Sequence, residues 1–399
     1  MTAAGFQARS HLLGNYTRAP VTFVRGQGCY LEDAEGRRYL DFVAGIAVCA
    51  LGHAHPTIAR AVAEQAARLV HCSNLYGHEP AGELAGELAR RSGFERVFFC
   101  NSGSEANEAA IKLARKRAFR RGERERSTIV ACEGGFHGRT LGALAATANA
   151  AYHEGFAPLP GGFAHVPFND VAALEGAIDE RVAAVLIEPV QGEGGVHPAT
   201  RAFLETARRL CDRHGALLIF DEVQCGLGRI GTEFAFERFG VRPDAVTLAK
   251  ALANGLPIGA LLVAAAHADA LRPGDHGSTF GGSPVPCAAA LAHLRERDRL
   301  DLDAHVQHVG ALLFAGLRHV ATDFPTLFEP PRGIGLMLGL PVKPPHRNAD
   351  LIDAARDRGR LLIASAGGNT LRFLPPLIVS PVEVADGLAQ LRVALVELA

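Results

Sequence analysis

The chain has 399 residues with 41 basic and 42 acidic side chains, a net charge of −1, so it lacks the basic excess that nucleic-acid binding requires. That length exceeds what one hydrophobic core fills, and two domains around a large sheet are expected. The eight cysteines are scattered without a Cys-x-x-Cys pair and read as reduced, mostly buried thiols. The N-terminus lacks the apolar core of a signal peptide, and the longest apolar stretch, around Ile258 to Ala266, is too short to span a bilayer. A cytosolic protein with neither a nucleic-acid nor a membrane partner is expected.

No internal repeat or low-complexity tract interrupts the chain. Residues 29–32 and 38–42 flank Glu35-Gly36 and predict a hairpin. A helix starts near Pro56. Strand 96–100, helix 104–119 and strand 128–132 follow, then strand 182–187, helix 200–213 closed by Gly215, and strands 216–220 and 245–248. Such alternation means a mostly parallel sheet with right-handed crossovers. Beyond Pro286 the pattern changes to longer helices, including 303–320, with short strands near 335–340 and 370–374. The last helix opens with Ser380 as N-cap, Pro381 at its first position and Glu383 placed for a capping box. A domain change is expected near residue 290.

Two apolar runs end in the most informative residues. Leu217-Leu218-Ile219-Phe220 leads into Asp221-Glu222-Val223-Gln224, and Val246-Thr247-Leu248-Ala249 leads into Lys250, 29 residues after Asp221. Continuous apolar runs mark strands covered on both faces, and such sheets bind ligands beyond their carboxyl ends. A carboxylate facing a pyridinium nitrogen, with a lysine free to form a Schiff base, is the protein's share of pyridoxal 5'-phosphate (PLP) chemistry.

Other segments carry two readings each. In Asn101-Ser102-Gly103-Ser104-Glu105-Ala106-Asn107-Glu108, Gly103 and Ser104 offer N–H groups and a hydroxyl to a phosphate, or Ser104 is an ordinary helix cap. Gly134-Gly135-Phe136-His137-Gly138-Arg139-Thr140 offers a ring for stacking and a guanidinium for a carboxylate, or is a glycine-rich turn with a solvated arginine. Glu188 ends a strand and reads as structural, whereas Glu193, between glycines in the next loop, is free to enter the site. Thr279-Phe280-Gly281-Gly282 adds a hydroxyl. His53-Ala54-His55 lacks a third metal ligand at suitable spacing and reads as a loop into the Pro56 helix.

Taken in order, these segments resemble the class III (ω-amino acid) aminotransferases of the aspartate-aminotransferase fold, most closely their acetylornithine branch. The likeness runs from Asn15-Tyr16 through Arg25-Gly26, Asp41-Phe42, Leu51-Gly52-His53-Ala54-His55-Pro56 and Ser73-Asn74 to Leu371-Arg372-Phe373-Leu374-Pro375-Pro376-Leu377. It implies an α/β PLP fold type I: a large PLP-binding domain over residues 51–290 with a mostly parallel central sheet, and a smaller α+β domain from both chain ends, residues 1–50 and 291–399. It implies that Lys250 bonds the cofactor and Asp221 faces its ring nitrogen as the catalytic pair. Val223 and Phe136 would pack on the two ring faces, Gln224 reach the ring hydroxyl, and Gly103 and Ser104 hold the phosphate. Thr279 would reach the phosphate of the neighbouring subunit's cofactor in a homodimer. Tyr16, Arg139 and Ser278 are implied as substrate contacts, Arg372 as the guanidinium for an α-carboxylate, and Glu193 as the acid that pairs with it.

The implied reaction moves the δ-amino group of N2-acetylornithine to 2-oxoglutarate, giving N-acetylglutamate 5-semialdehyde and glutamate, within arginine biosynthesis. Succinylornithine, succinyldiaminopimelate, ornithine and 4-aminobutyrate are alternative amines; a PLP aminomutase or a non-enzymatic α/β binding module would be a different class. Some positions depart from the family pattern. Ser104 and Cys225 stand where threonine is common, Ser283 and Cys49 where asparagine is. Ile46 occupies the place of a tyrosine that favours free ornithine, and its apolar side chain suits an acylated substrate better.

Overall fold

The computed structural model of the chain describes residues 11–396. Among these, the largest sheet has seven strands in the order Arg96–Cys100, Gly259–Val263, Ala245–Leu248, Leu217–Asp221, Val182–Ile187, Thr128–Cys132 and Phe163–Val166. The last five run parallel, and Gly259–Val263 is antiparallel to both its neighbours. Arg96–Cys100 therefore points the same way as the parallel five, and six strand ends share one edge. This is the mostly parallel α/β sheet expected from the motifs.

Every residue of Val182–Ile187, Leu217–Asp221, Ala245–Leu248 and Gly259–Val263 is buried, because helices cover both faces of the sheet. That double cover explains why these strands read as unbroken apolar runs. The stretch around Ile258, notable in the sequence only for its hydrophobicity, is the antiparallel strand. Helix Gly103–Arg120 buries Ala106, Ala109, Ala110 and Ala114, small side chains that let it lie close to the sheet. Helix Arg201–His214 is capped by the Thr200 hydroxyl and ends at Gly215, whose φ of 72° few other residues adopt readily. Helix Glu79–Ser92 was not read from the sequence; helix Pro284–Arg299 starts two residues before the expected change of texture at Pro286.

The two ends of the described chain meet. The hairpin Tyr30–Asp33 and Arg38–Asp41 forms as expected, and Leu361–Leu362 pairs parallel with its second strand. A separate antiparallel sheet contains Arg332–Ile334, Met337–Pro341, Thr370–Phe373 and Ala364–Ala366, and carries Arg372. The Leu374 N–H donates to the Phe42 carbonyl at 2.7 Å, tying this sheet to the N-terminal strands. The final helix, Pro381–Leu395, has the Ser380–Glu383 capping box.

Candidate active site

The shared strand edge opens onto a cavity of about 310 Å³, lined by Gly103, Ser104, Phe136, Asp221, Val223, Gln224 and Lys250 among others. Seven residues singled out from sequence alone thus face one space.

Asp221 is the last residue of its strand and 3% exposed. Its Oδ2 accepts from Asn107 Nδ2 at 2.7 Å and bonds His137 Nδ1 at 2.8 Å, while Oδ1 accepts the Val223 N–H at 3.0 Å. Burial opposes a charge on His137, but the hydrogen bond and charge of Asp221 outweigh it and raise its pKa above the ordinary value. His137 is therefore the donor. Asn107 Nδ2 also donates to the His137 carbonyl at 2.8 Å, and its Oδ1 accepts from Thr247 Oγ1 at 2.8 Å. Sequence reading gave neither residue a role. The signal was there: Asn107 lies one helical turn after Gly103, on the face turned to the sheet.

Lys250 opens a short 3-10 turn, Lys250–Ala253, two residues past its strand. Its φ of 37° lies in the left-handed region, which costs a side-chain-bearing residue about 1 kcal/mol. Asn254, which ends this turn, ties it to the N-terminal part of the chain. Asn254 Oδ1 accepts the Leu51 N–H at 2.7 Å, and its Nδ2 donates to the Gly52 carbonyl at 3.2 Å. Burial lowers the pKa of the Lys250 amine; the charge of Glu193 works against the shift and that of Arg372 with it.

At the other end of the cavity Ser102, not Ser104, caps helix Gly103–Arg120 by accepting the Glu105 N–H at 3.2 Å. Ser104 Oγ instead accepts the Arg139 N–H at 3.2 Å. A Cβ on Gly103 would come within 2.7 Å of a Val223 methyl, and one on Gly138 within 2.1 Å of Ser104 Oγ. Only glycine lets these loops touch. Glu188 has the structural part expected of it, accepting the Phe136 N–H at 2.7 Å and the Gly192 N–H at 3.2 Å, and it also lines the cavity. Its burial raises its pKa.

Arg372, 2% exposed, donates through Nη1 to Glu193 Oε1 at 2.6 Å and to Gln224 Oε1 at 3.1 Å. Arg139 is exposed, its guanidinium 3.8 Å from the centre of the Tyr152 ring and 5.6 Å from that of Phe136. Tyr16 and Thr279 are also exposed and do not line the cavity of their own chain. Ser278 and Thr279 line an adjoining hollow, where Ser278 Oγ accepts from Asn101 Nδ2 at 3.2 Å. His53 bonds Asp41 at 2.7 Å and His55 faces Glu296 at 3.6 Å, so the two histidines serve different acids.

The profile of the family described as aminotransferase class-III matches residues 14–395. The chain belongs to the class III aminotransferases. The acetylornithine aminotransferase of Gloeobacter violaceus is 50% identical over 379 residues, covering 95% of this chain and 94% of its own. That of Methanocaldococcus jannaschii is 48% identical over 364 residues, covering 91% and 90%. Among solved structures, the ornithine aminotransferase of Toxoplasma gondii ME49 has a TM-score of 0.95 at 33% identity, covering 100% of this chain and 96% of that one. The N-acetylornithine aminotransferase of Stenotrophomonas maltophilia K279a has a TM-score of 0.84 at 39% identity, covering 99% and 98%.

Class III aminotransferases are PLP-dependent, and a second structure of the Toxoplasma enzyme is described with PLP in partial occupancy at its active site. This class III aminotransferase has a cavity that fits the cofactor. It offers a buried carboxylate for a ring nitrogen, an amine kept toward its neutral form, and a helix N-terminus beside the Ser104 hydroxyl, whose hydrogen is available to a phosphate. The glycines at 103 and 138 keep side-chain atoms out of that end of the cradle.

Proposed function

We propose that this PLP-dependent aminotransferase moves the δ-amino group of N2-acetylornithine to 2-oxoglutarate, giving N-acetylglutamate 5-semialdehyde and glutamate, as a step of arginine biosynthesis. The observation that carries this reading is the Glu193–Arg372 pair beside Lys250. When bound, PLP supplies an electron sink for the pair released at the substrate carbon. Asp221, its oxygens oriented by Asn107, His137 and the Val223 N–H, presents a negative charge to the ring nitrogen. Lys250 would hold the cofactor through its amine. Its Nζ is placed to take a proton from the substrate carbon and return it, and burial biases that amine toward the neutral form this needs.

The two half-reactions make opposite demands on Arg372. Glutamate and 2-oxoglutarate bear a carboxylate on the reacting carbon, which calls for a guanidinium; the δ-carbon of acetylornithine bears none. With Glu193 on Arg372 the positive charge is masked for the amine, and with Glu193 turned away it is available to the keto acid. Gln224 stays on the same Nη1 and keeps Arg372 aimed. Ile46, two residues from the cavity-lining Val48, presents an apolar surface suited to an acyl group.

In this reading Phe136 and Val223 would pack on the ring, Gln224 would reach its hydroxyl, Gly103 and Ser104 would hold the phosphate, Tyr16 and Arg139 would hold the distant substrate carboxylate, and Ser278 would be a further substrate contact. The active unit is a homodimer in which exposed Thr279 serves the neighbouring subunit's cofactor. Residues 51–290 would form the cofactor-binding domain, and residues 1–50 with 291–399 the smaller one, of which 1–10 and 397–399 lie outside the described residues. A cytoplasmic location goes with this role.

Borohydride reduction of the PLP-loaded protein followed by peptide mapping is the direct test, and the label is expected on Lys250. Label on another residue refutes the site assignment. Half-reaction rates with acetylornithine, succinylornithine, ornithine and 4-aminobutyrate test the substrate, and ornithine reacting faster than acetylornithine rejects the acyl preference.

A further inference from the structure

The loop that carries Glu193 is built to stay still. It joins the paired strands Val190–Gln191 and His197–Pro198 and contains three glycines, Gly192, Gly194 and Gly195. Each glycine is pressed against a neighbour. A Cβ would lie 2.4 Å from the Gln224 side chain at Gly192, 2.3 Å from the Gly134 carbonyl at Gly194, and 2.8 Å from both Arg332 Nη2 and the Gly367 carbonyl at Gly195. The Gly367 N–H donates to the Glu193 carbonyl at 2.7 Å. Composition suggests mobility here, but packing denies it.

Arg332 is the side chain that closes this arrangement. It stands on the strand at the edge of the Arg372 sheet, and its Nε donates to the Gly195 carbonyl at 2.8 Å. Its Nη2 donates to Thr370 Oγ1 at 3.1 Å, two residues before Arg372 on the same strand. Among the described residues no carboxylate pairs with this guanidinium, and it spends its donors on a loop carbonyl and a strand hydroxyl. A cation used this way is a clamp between two pieces of backbone rather than an ion-pair partner.

We infer that Arg332 is a positioning residue for carboxylate selection: by pinning the Glu193 loop to the Arg372 strand, it makes the unmasking of Arg372 a rotation of the Glu193 side chain over a fixed backbone, not a movement of the loop. The inference rests on the role proposed above for the Glu193–Arg372 pair. The side chain of Glu193 keeps 27% exposure, so it has somewhere to turn. With the clamp gone, the Glu193 carboxylate has no single geometry from which to mask Arg372. Discrimination between an amine without an α-carboxylate and glutamate then falls.

The test uses the PLP-loaded enzyme in single-turnover half-reactions with acetylornithine and, separately, with glutamate. Arg332→Ala is expected to lower the ratio of the two kcat/KM values by about tenfold, the scale of one hydrogen bond to a charged group. Arg332→Lys, which keeps a charge and donors, should recover part of it. In Glu193→Gln the ratio shifts on its own, and adding Arg332→Ala should change it no further, because Arg332 acts only through Glu193. Amide exchange of the peptide 190–198 in the cofactor-free protein should speed up in Arg332→Ala and not in Glu193→Gln.

A normal Glu193→Gln effect with an unchanged ratio in both Arg332 variants overturns the clamp and leaves the proposed function standing. Additive effects in the double variant likewise overturn it, since they mark a merely structural arginine. No effect of Glu193→Gln overturns the masking role itself, and this inference falls with it.

Discussion

Asn107 and Asp221 stand 114 residues apart in the chain and meet at 2.7 Å in the buried floor of the cavity. Each polar atom of the Asn107 side chain is engaged, its amide with Asp221 and the His137 carbonyl, its oxygen with Thr247. A buried carboxylate keeps one orientation only when its lone pairs are used in this way, and in the proposed function that orientation is what the cofactor nitrogen would meet.

Replacing Asn107 with leucine, similar in volume and without polar atoms, leaves the Thr247 hydroxyl and the His137 carbonyl unpaired and removes one of the bonds on Asp221. The cost in stability is expected to be about 1–3 kcal/mol, and PLP affinity should fall by roughly ten- to a hundredfold. Thermal unfolding of the cofactor-free protein and PLP titration separate the two effects. A stable variant with unchanged PLP affinity would show that Asp221 needs no such orientation.

The pH dependence of stability should carry the mark of His53. Its hydrogen bond to Asp41 is the largest cause, and the Cys49 thiol the next, of a pKa raised from 6.5 to about 9. A base whose folded pKa is raised gains stability that is fully present below its unfolded pKa, near 6.5, and lost as pH climbs through about 9. Melting temperature is therefore expected to decline between pH 6.5 and 9, and His53→Gln should flatten that part of the profile. Asp41 Oδ1 also accepts the Val43 and Ala44 N–H groups at 2.8 and 3.0 Å, so the same carboxylate anchors the chain that leads to the cavity-lining Val48. These bonds open the turn in which Ala44, Ile46 and Ala47 hold φ values of 48°, 66° and 60°.

What could be read from the sequence follows from local physics. The strands ending in Asp221 and before Lys250 were legible because a doubly covered strand cannot alternate, and their boundaries fell within a residue or two. The Ser380 box was legible because its partners lie three residues apart. Asn107 and His137 were not legible as partners of Asp221, since their value comes from contacts across 114 and 84 residues that no spacing rule reports. Ser102 displaced Ser104 as the cap for a subtler reason. Both residues suit the position, and only the backbone at Ser102, extended at φ −156°, decides between them. The Glu193–Arg372 pair came from likeness to a family; in the structure it is a 2.6 Å contact between a loop and a strand of separate sheets.

Gly103 is expected to tolerate no side chain. An alanine Cβ would sit 2.7 and 2.9 Å from the two methyls of Val223, a β-branched residue with few rotamers to retreat into. The overlap forces Val223 toward the cavity at a cost of about 1–3 kcal/mol, seen as a ten- to hundredfold loss of PLP affinity. The double variant Gly103→Ala/Val223→Ala restores the space, and PLP titration should show it binding more tightly than Gly103→Ala alone. Equal affinities would mean that the two residues do not compete for the same volume.

Lys250 tests the chemistry most sharply, because its backbone and its amine can be separated. Lys250→Ala keeps a Cβ at the φ of 37° and so retains the strain of the turn, while the amine is lost. The protein should fold with a melting temperature close to that of the parent and still hold PLP through Asp221 and the Gly103–Ser104 end, but without a covalent link. If Lys250 carries the proton as proposed, its removal should cost about 10²–10⁴ in the rate of the half-reaction, and the lost covalent step should add to that. Small primary amines added to the buffer should restore part of the rate, with larger gains from amines compact enough for the 310 Å³ cavity. Normal turnover by Lys250→Ala without added amine would remove Lys250 from the mechanism, whatever the rest of the site contains.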